Sequence, residues 1–397
     1  MRSSSGKSDS GKVETLPLQG VRVLSMAEQF PGPFATLLLA DLGADVIQIE
    51  RPSGGDPSRR FPAFYAALNR NKRSIAVDLK TRDGVEVVLR MARGADVFLE
   101  GFRPGTVERL GVGYQELRTV NDKIVYVSIS GFGQTGPYRD RPAHDLSYQA
   151  LSGMLESRYR NRVELPSLAI ADLSSGMFAA LAVTLGLWLR DNRGTDSYID
   201  VSMLDSLITM MATQLVPVMN AGSTAVPPEP GYGIYRTADG ACLSLSVAHE
   251  DHFWRNLCRC TGLDQYAELT GPERVRDLCS LRERLAAVIA TRPLKEWMDL
   301  LDKGDVPFAP VLALKQVATD AQVRARDMIV RLCNGGYEES HVRQPLVIGE
   351  RTFGPTRPTP KLGEHSREVL QDAGYLPQEI EELIRKGIAL DGQFTDE

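Results

Sequence analysis

The feature that most limits the fold is a regular alternation of apolar runs and helical patterns over the first 130 residues. Residues 21–25 are a short apolar strand. Pro31-Gly-Pro33 then leads into a helical run over 34–42 that Gly43 stops, and residues 45–50 follow directly as a second strand. Residues 74–78, 96–100 and 124–130 read as further strands, with helical patterns over 84–92, 106–110 and 114–118. Strands joined through helices pair in parallel by right-handed crossovers. The expected class is therefore α/β, a large domain with a Rossmann-like parallel sheet. The opening unit imitates a dinucleotide fold, with Glu50 at the place of the ribose-binding acid. Its first turn, residues 27–33, has no G-x-G-x-x-G pattern, and Pro31 and Pro33 lack the N–H groups that a phosphate cradle needs. That reading is rejected.

At 397 residues the chain has room for two domains. The run from Gly222 to Gly231 is rich in proline and small residues and marks a boundary. Beyond it, residues 234–247 read as a hairpin turning at Ala238-Asp-Gly240, and helical patterns cover 252–260, 281–291 and 294–301. The expected organisation is a disordered Ser-, Gly- and Lys-rich tail over 1–15 and a large α/β domain over 16–224. A small α+β domain follows over 225–330, and residues 331–397 return to the large domain. The net charge of −5 contains no basic block, so no nucleic-acid partner is expected. The five cysteines, Cys242, Cys258, Cys260, Cys279 and Cys333, have neither a disulfide-framework nor a zinc-ligand spacing. They indicate reduced thiols and a cytoplasmic setting, and no metal site is expected. No run of about eighteen apolar residues occurs, so no membrane span is expected.

Chemistry concentrates between Arg141 and Met177. His144-Asp145 lies in a loop-rich region after the glycine turn 130–137, and Asp172 precedes a helix. Phe178, Leu181, Leu185 and Trp188 repeat at helical spacing there, and Gly194 ends the run. Asp172 stands where an N-cap would stand, and capping is its plainest role. The functional alternative is a carboxylate beside free helix N–H groups able to hold an oxyanion. His144 next to Asp145 is a candidate acid/base with an orienting partner. Basic residues gather after strand ends: Arg51, Arg70, Lys72, Arg73, Lys80 and Arg103. A solvated charged face explains most such clusters. Arg51 and Arg103 follow strands closely enough to grip phosphates at the carboxyl edge of a sheet.

Eight ordered motifs bear a closer likeness. They are Leu18-Gln-Gly-Val-Arg-Val-Leu, Pro31-Gly-Pro, the run from Ala40-Asp-Leu-Gly to Ile-Glu-Arg-Pro52, and Val77-Asp-Leu-Lys80. Phe102-Arg-Pro-Gly105, Gly131-Phe-Gly-Gln-Thr-Gly-Pro137, Ala171-Asp-Leu-Ser-Ser-Gly176 and Gly363-Glu-His365 complete the set. With them the chain resembles the class III CoA-transferase and α-methylacyl-CoA racemase superfamily from about residue 17 to 387. The resemblance implies an interlocked homodimer that binds acyl-CoA without a further cofactor. CoA would be lined by Arg51, by Val77, Asp78, Leu79 and Lys80, and by Ala143, His144, Asp145, Leu146 and Ser147. Asp172 matches the superfamily's functional aspartate, which is a nucleophile carrying a mixed anhydride in transferases and one of two acid/base groups in racemases. Racemisation needs opposed bases. Ala143-His144-Asp145 matches the racemase histidine motif, and Glu250 matches the glutamate that orients that histidine. The expected shielding loop of a transferase, Pro230-Gly-Tyr-Gly233, is short and poor in glycine. The expectation is thus a racemase using His144, Asp172 and Glu250, with a CoA-transferase as the alternative. Arg158, Arg160 and Arg162 would suit a transferase acting on dicarboxylic acids. A non-catalytic CoA-binding protein would require Asp172 to be only a cap.

Overall fold

The computed structural model describes residues 15–155, 166–195, 197–222, 227–334 and 337–392. The tail, except Thr15, and the arginines 158, 160 and 162 lie outside the described residues. Two compact units form: Met1–Ala212 with Asp327–Glu397, and Thr213–Arg326. The first unit thus ends ten residues upstream of the Pro- and Gly-rich run that marks a boundary in the sequence.

The first unit is built on a seven-stranded sheet. Its strands are β1 (Arg22–Ser25), β2 (Asp45–Glu50), β3 (Arg73–Val77), β4 (Val97–Glu100), β5 (Val125–Ser130) and β6 (Ser197–Ser202). Ala389–Leu390 from the far end of the chain adds the seventh, beside β3. From that edge strand the order is β3, β2, β1, β4, β5, β6, and every pair is parallel except the edge pair. Strands β1 to β5 are buried along nearly their whole length because both faces of the sheet are covered there, as parallel sheets require. Leu24, Ile47, Ile75, Phe98 and Tyr126 share one core with helix Arg82–Ala92 and the C-terminal helices Ser366–Asp372 and Pro377–Arg385. Val23, Val46, Val97, Val125 and Val127 face the other core. Because β1 pairs with β2 on one side and β4 on the other, the connections diverge at β1/β4, and such a switch point opens a crevice at the carboxyl edge.

The second core is closed by two helices, α1 (Pro31–Asp41) and the 24-residue helix Ile170–Arg193, numbered here after α6 as α7. Between them in the chain lie α2 (Pro62–Asn69), α3 (Arg82–Ala92), α4 (Thr106–Arg109), α5 (Tyr114–Val120) and α6 (Asp145–Leu151). Gly194 in the left-handed region ends α7, at the stop signal read from the sequence. The packing face differs from that reading. Leu181, Leu185 and Trp188 are half exposed, whereas Ala171, Ser174, Ser175, Gly176, Ala179, Val183 and Gly186 are buried. Small residues let the helix approach closely. A Cβ on Gly176 would stand 2.7 Å from the Pro31 carbonyl oxygen, and one on Gly186 would stand 2.4 Å from Val125 Cγ1. By length and composition α7 could cross a membrane, contrary to the sequence expectation, with a mean hydropathy of 1.6. Its packing on α1, β5 and β6 is that of a core helix.

The second unit holds an antiparallel sheet, β7 (Tyr232–Arg236), β8 (Cys242–Ser246) and β9 (Phe308–Pro310), in that order. Helices Asp251–Thr261, Leu278–Ile289 and Leu294–Lys303 cover it through Trp254, Leu257, Leu285 and Trp297. Both indoles are satisfied, Trp254 Nε1 by the Tyr266 carbonyl at 2.7 Å and Trp297 Nε1 by that of Ile289 at 2.8 Å.

Candidate active site

Asp172 sits in the first turn of α7, whose N-cap is Ala169. It does not cap the helix. The cap expected of Asp172 is provided instead by Asp145, the first residue of α6. Asp145 Oδ1 accepts the backbone N–H of Ala171 at 2.8 Å and that of Asp172 at 3.3 Å. Asp145 Oδ2 accepts from Gln149 Nε2 at 2.5 Å, and the same amide group donates to the Leu168 carbonyl at 3.0 Å. Asp145 therefore ties the start of α6 to the start of α7, and it occupies the N–H groups that the sequence reading left open for an oxyanion. The sequence pointed to Asp145 as a partner for His144 and as part of the CoA lining, not as a cap. A carboxylate capping a helix 26 residues downstream leaves no local signal.

This arrangement charges the site in a definite way. Burial, and then the neighbouring charge of Asp145, raise the Asp172 carboxyl to about 7. A desolvated carboxyl close to neutrality serves equally as a base, an acid or a reactive nucleophile. His144 is the N-cap residue of α6, without a side-chain cap bond, and is exposed. It directly precedes the residue that binds the Asp172 N–H, so both titratable groups begin neighbouring helix ends. Glu250 belongs to the second unit, at the N-cap of helix Asp251–Thr261, where its Oε2 accepts the Ala248 N–H at 3.3 Å.

Tyr148, on the first turns of α6, was missed in the sequence. It is 3% exposed, and burial, then the charge of Asp172, push its phenol up to about 12, while Arg103 acts in the opposite sense. The Tyr148 phenol thus lies within electrostatic reach of Asp172 and of Arg103. The ring meets Phe132 edge-on at 5.3 Å. The glycine turn beside it is fixed by Asp200 on β6, whose Oδ2 accepts the Gln134 N–H at 2.8 Å, and Gly133 and Gly136 both have positive φ.

The basic residues divide into two sets. Arg51, Lys80 and Arg103 are exposed at the carboxyl edge of the sheet, free to reach a ligand. Arg51 Nε donates to the Gly55 carbonyl at 2.9 Å, and the Lys80 N–H donates to Asp78 Oδ1 at 3.0 Å. Arg70, Lys72 and Arg73 are buried, contrary to a solvated face. Arg70 pairs with Asp41 at 2.7 Å, and Arg73 pairs with Asp45 at 2.6 Å and Asp372 at 2.9 Å. Lys72 Nζ donates to Asn69 Oδ1 at 2.7 Å and to the Pro33 carbonyl at 2.9 Å, and burial lowers its pKa to about 7. These three hold α1, α2 and the C-terminal helices onto the sheet. Of the other positions read as lining CoA, Val77 is buried in the core, Asp78, Leu79 and Ala143 are half-buried, and Leu146 and Ser147 are exposed. Among the described residues no group of three or more His, Cys, Asp or Glu could hold a metal ion.

A family model, CoA-transferase family III, matches residues 18–366. A succinate–glutarate CoA-transferase of Agrobacterium fabrum is 34% identical over 388 residues, covering 90% of this chain and 95% of that protein. An α-methylacyl-CoA racemase of Mus musculus is 32% identical over 377 residues, covering 92% and 96%. Among solved structures, the protein Rv3272 of M. tuberculosis superposes with a TM-score of 0.81 at 30% identity, covering 89% of this chain and 99% of that one. A CAIB/BAIF family protein from Brucella suis gives the same TM-score at 28% identity, covering 91% and 100%.

Proposed function

From the premise that the chain belongs to CoA-transferase family III, whose members act on CoA thioesters, we propose that it moves CoA between a thioester and a carboxylic acid through Asp172. A carboxylate oxygen of Asp172 attacks the thioester carbon, the C–S bond breaks, and CoA departs as the thiolate. The acyl group stays on Asp172 as a mixed anhydride. Return of the thiolate, after the second acid has replaced the first on the aspartate, completes the exchange. The observation that carries this reading is the half-buried Asp172 carboxyl, raised to about 7 on a helix start already capped by Asp145. Poor solvation raises both its basicity and its nucleophilicity. The relatives named as dicarboxylate transferases support it further and outweigh the racemase expectation. They suggest a dicarboxylic acid and its CoA thioester as substrates. Arg51 and Arg103 supply cationic groups for the CoA phosphates.

A racemase is the second reading, favoured by one observation: His144 stands beside the aspartate that binds the Asp172 N–H. There His144 and Asp172 would exchange the α-proton. A homodimer is part of both readings. Met177, Leu181, Leu185 and Trp188 form an exposed stripe on α7, and a second copy would cover it.

Hydroxylamine distinguishes the readings. With succinyl-CoA, a transferase acquires a hydroxamate at Asp172, read by peptide mass spectrometry, because the anhydride is trapped. An enolate leaves nothing covalent to trap. An unmodified Asp172 together with α-hydrogen exchange of a 2-methylacyl-CoA in heavy water would overturn the transferase reading.

A further inference from the structure

We propose that Tyr148 is a catalytic residue whose hydroxyl donates a hydrogen bond to the thioester carbonyl oxygen and to the oxyanion formed when Asp172 attacks. This rests on the transferase reading and adds the donor that it lacks. The helix N–H groups of Ala171 and Asp172, the first candidates for that task, are already bound to Asp145.

Four observations converge on the phenol. The ring is almost wholly buried, and among the described residues the hydroxyl at its tip has no hydrogen-bond partner. The oxygen is not among the buried unpartnered atoms, so it keeps accessible surface and can donate to whatever occupies the space in front of it. The hydroxyl lies within electrostatic reach of both Asp172, the attacking group, and the Arg103 cation. Its ring is braced edge-on by Phe132 at 5.3 Å, so its direction is set by the glycine turn as well as by α6. Last, the strand is bare where the hydroxyl sits. Val127 and Ile129 of β5 point into the core that Tyr148 shares, and Gly131 continues that alternation. A Cβ on Gly131 would stand 2.2 Å from the Tyr148 oxygen. Only glycine leaves that space at the carboxyl end of a parallel strand, where ligands of such sheets bind.

The chemistry suits this task. A phenol raised to about 12 stays protonated at neutral pH, so it is a lasting donor and not a competing base. No proton is transferred. The O–H shortens its contact to the oxygen as negative charge grows there, and lengthens it again as the C–S bond breaks and the carbonyl re-forms. Such a donor acts on the transition state more than on the bound thioester, so its loss lowers kcat and leaves KM nearly unchanged.

The test is Tyr148→Phe, which keeps the ring and its packing. The rate of hydroxamate formation at Asp172 with succinyl-CoA should fall by roughly 100-fold or more, the scale for removing one oxyanion donor. KM should change by less than about twofold, and the melting temperature should stay near that of the wild type. Gly131→Ala is the second variant. It displaces the hydroxyl and should cost a similar factor in the wild-type background but clearly less in Tyr148→Phe, where the 2.2 Å contact with oxygen is gone and only the ring carbon at 3.0 Å must give. Trapping at Asp172 with an unchanged rate in Tyr148→Phe would overturn the role of Tyr148 and leave the transferase reading intact. So would fully additive losses in the double variant. No trapping in the wild type would remove the transferase reading and the proposal together.

Discussion

Replacing Asp145 by Asn tests the electrostatic account of the site. The substitution removes a negative charge but keeps an oxygen able to accept the Ala171 N–H, now held at 2.8 Å. Asp172 stands at about 7, roughly three pH units above an ordinary aspartate, with burial the larger cause and the Asp145 charge the smaller. The charge therefore accounts for less than half of the rise, at most about 1.5 pH units or about 2 kcal/mol at 1.36 kcal/mol per unit. If ionised Asp172 is the reactive form, wild-type kcat/KM should climb with pH through about 7 and reach roughly a tenth of its plateau at pH 6. In Asp145→Asn the climb should move down by about one pH unit, bringing the pH 6 value to roughly half of that variant's own plateau. The plateau should also drop, because an amide caps α7 less strongly than a carboxylate. The assay is succinyl-CoA turnover from pH 5 to 8.5, each variant normalised to its plateau. A midpoint that stays in place, or rises, refutes the account.

Three further outcomes follow from the same structure. Asp172→Asn should abolish turnover yet raise the melting temperature at pH 8. A carboxyl raised in the fold binds its proton more tightly there than when unfolded, so wild-type stability falls as pH rises from about 4 through about 7. The gain of up to about 4 kcal/mol at pH 8 should vanish near pH 4, and a constant difference across this range would contradict the linkage. His144→Ala should retain most transferase activity, whereas a loss of about 100-fold in α-proton exchange would mark the racemase. Arg51→Ala should weaken CoA binding by roughly 1.5–3 kcal/mol, measured by calorimetry, with an unaltered melting curve because its side chain is exposed. An unchanged dissociation constant would show that another group holds the phosphates.

Some of this was written locally in the chain and was therefore legible. Apolar runs such as residues 45–50, followed by a helical pattern and another run, permit little besides a parallel sheet, because a helix between adjacent strands forces the crossover. The turn at Gly194 was legible for the same reason, as one residue's backbone freedom decides it. The family motifs singled out Asp172 and His144, since residue type and order carry that information without geometry.

Tertiary structure decided what depends on groups distant in sequence. On α7 the large apolar residues and the small ones both recur at helical spacing, so periodicity could not tell which face would be buried. Close approach to Pro31 and Val125 selected the small face, because only Gly176 and Gly186 leave room. Whether a basic residue is a ligand or a strut also depended on its partner, as Asp41 for Arg70 and Asp372 for Arg73 lie far away in the chain. Asp145 capping a helix 26 residues on, and the Tyr148 hydroxyl resting over Gly131, follow the same rule. The sequence by itself determined the strand–helix alternation of the opening 130 residues and the motif order in which His144 and Asp172 stand, since local periodicity, chain stereochemistry and residue identity are enough for that. The environment that brings the carboxyl to about 7 was decided only by the fold, because desolvation and charge act through space between segments that the sheet brings together.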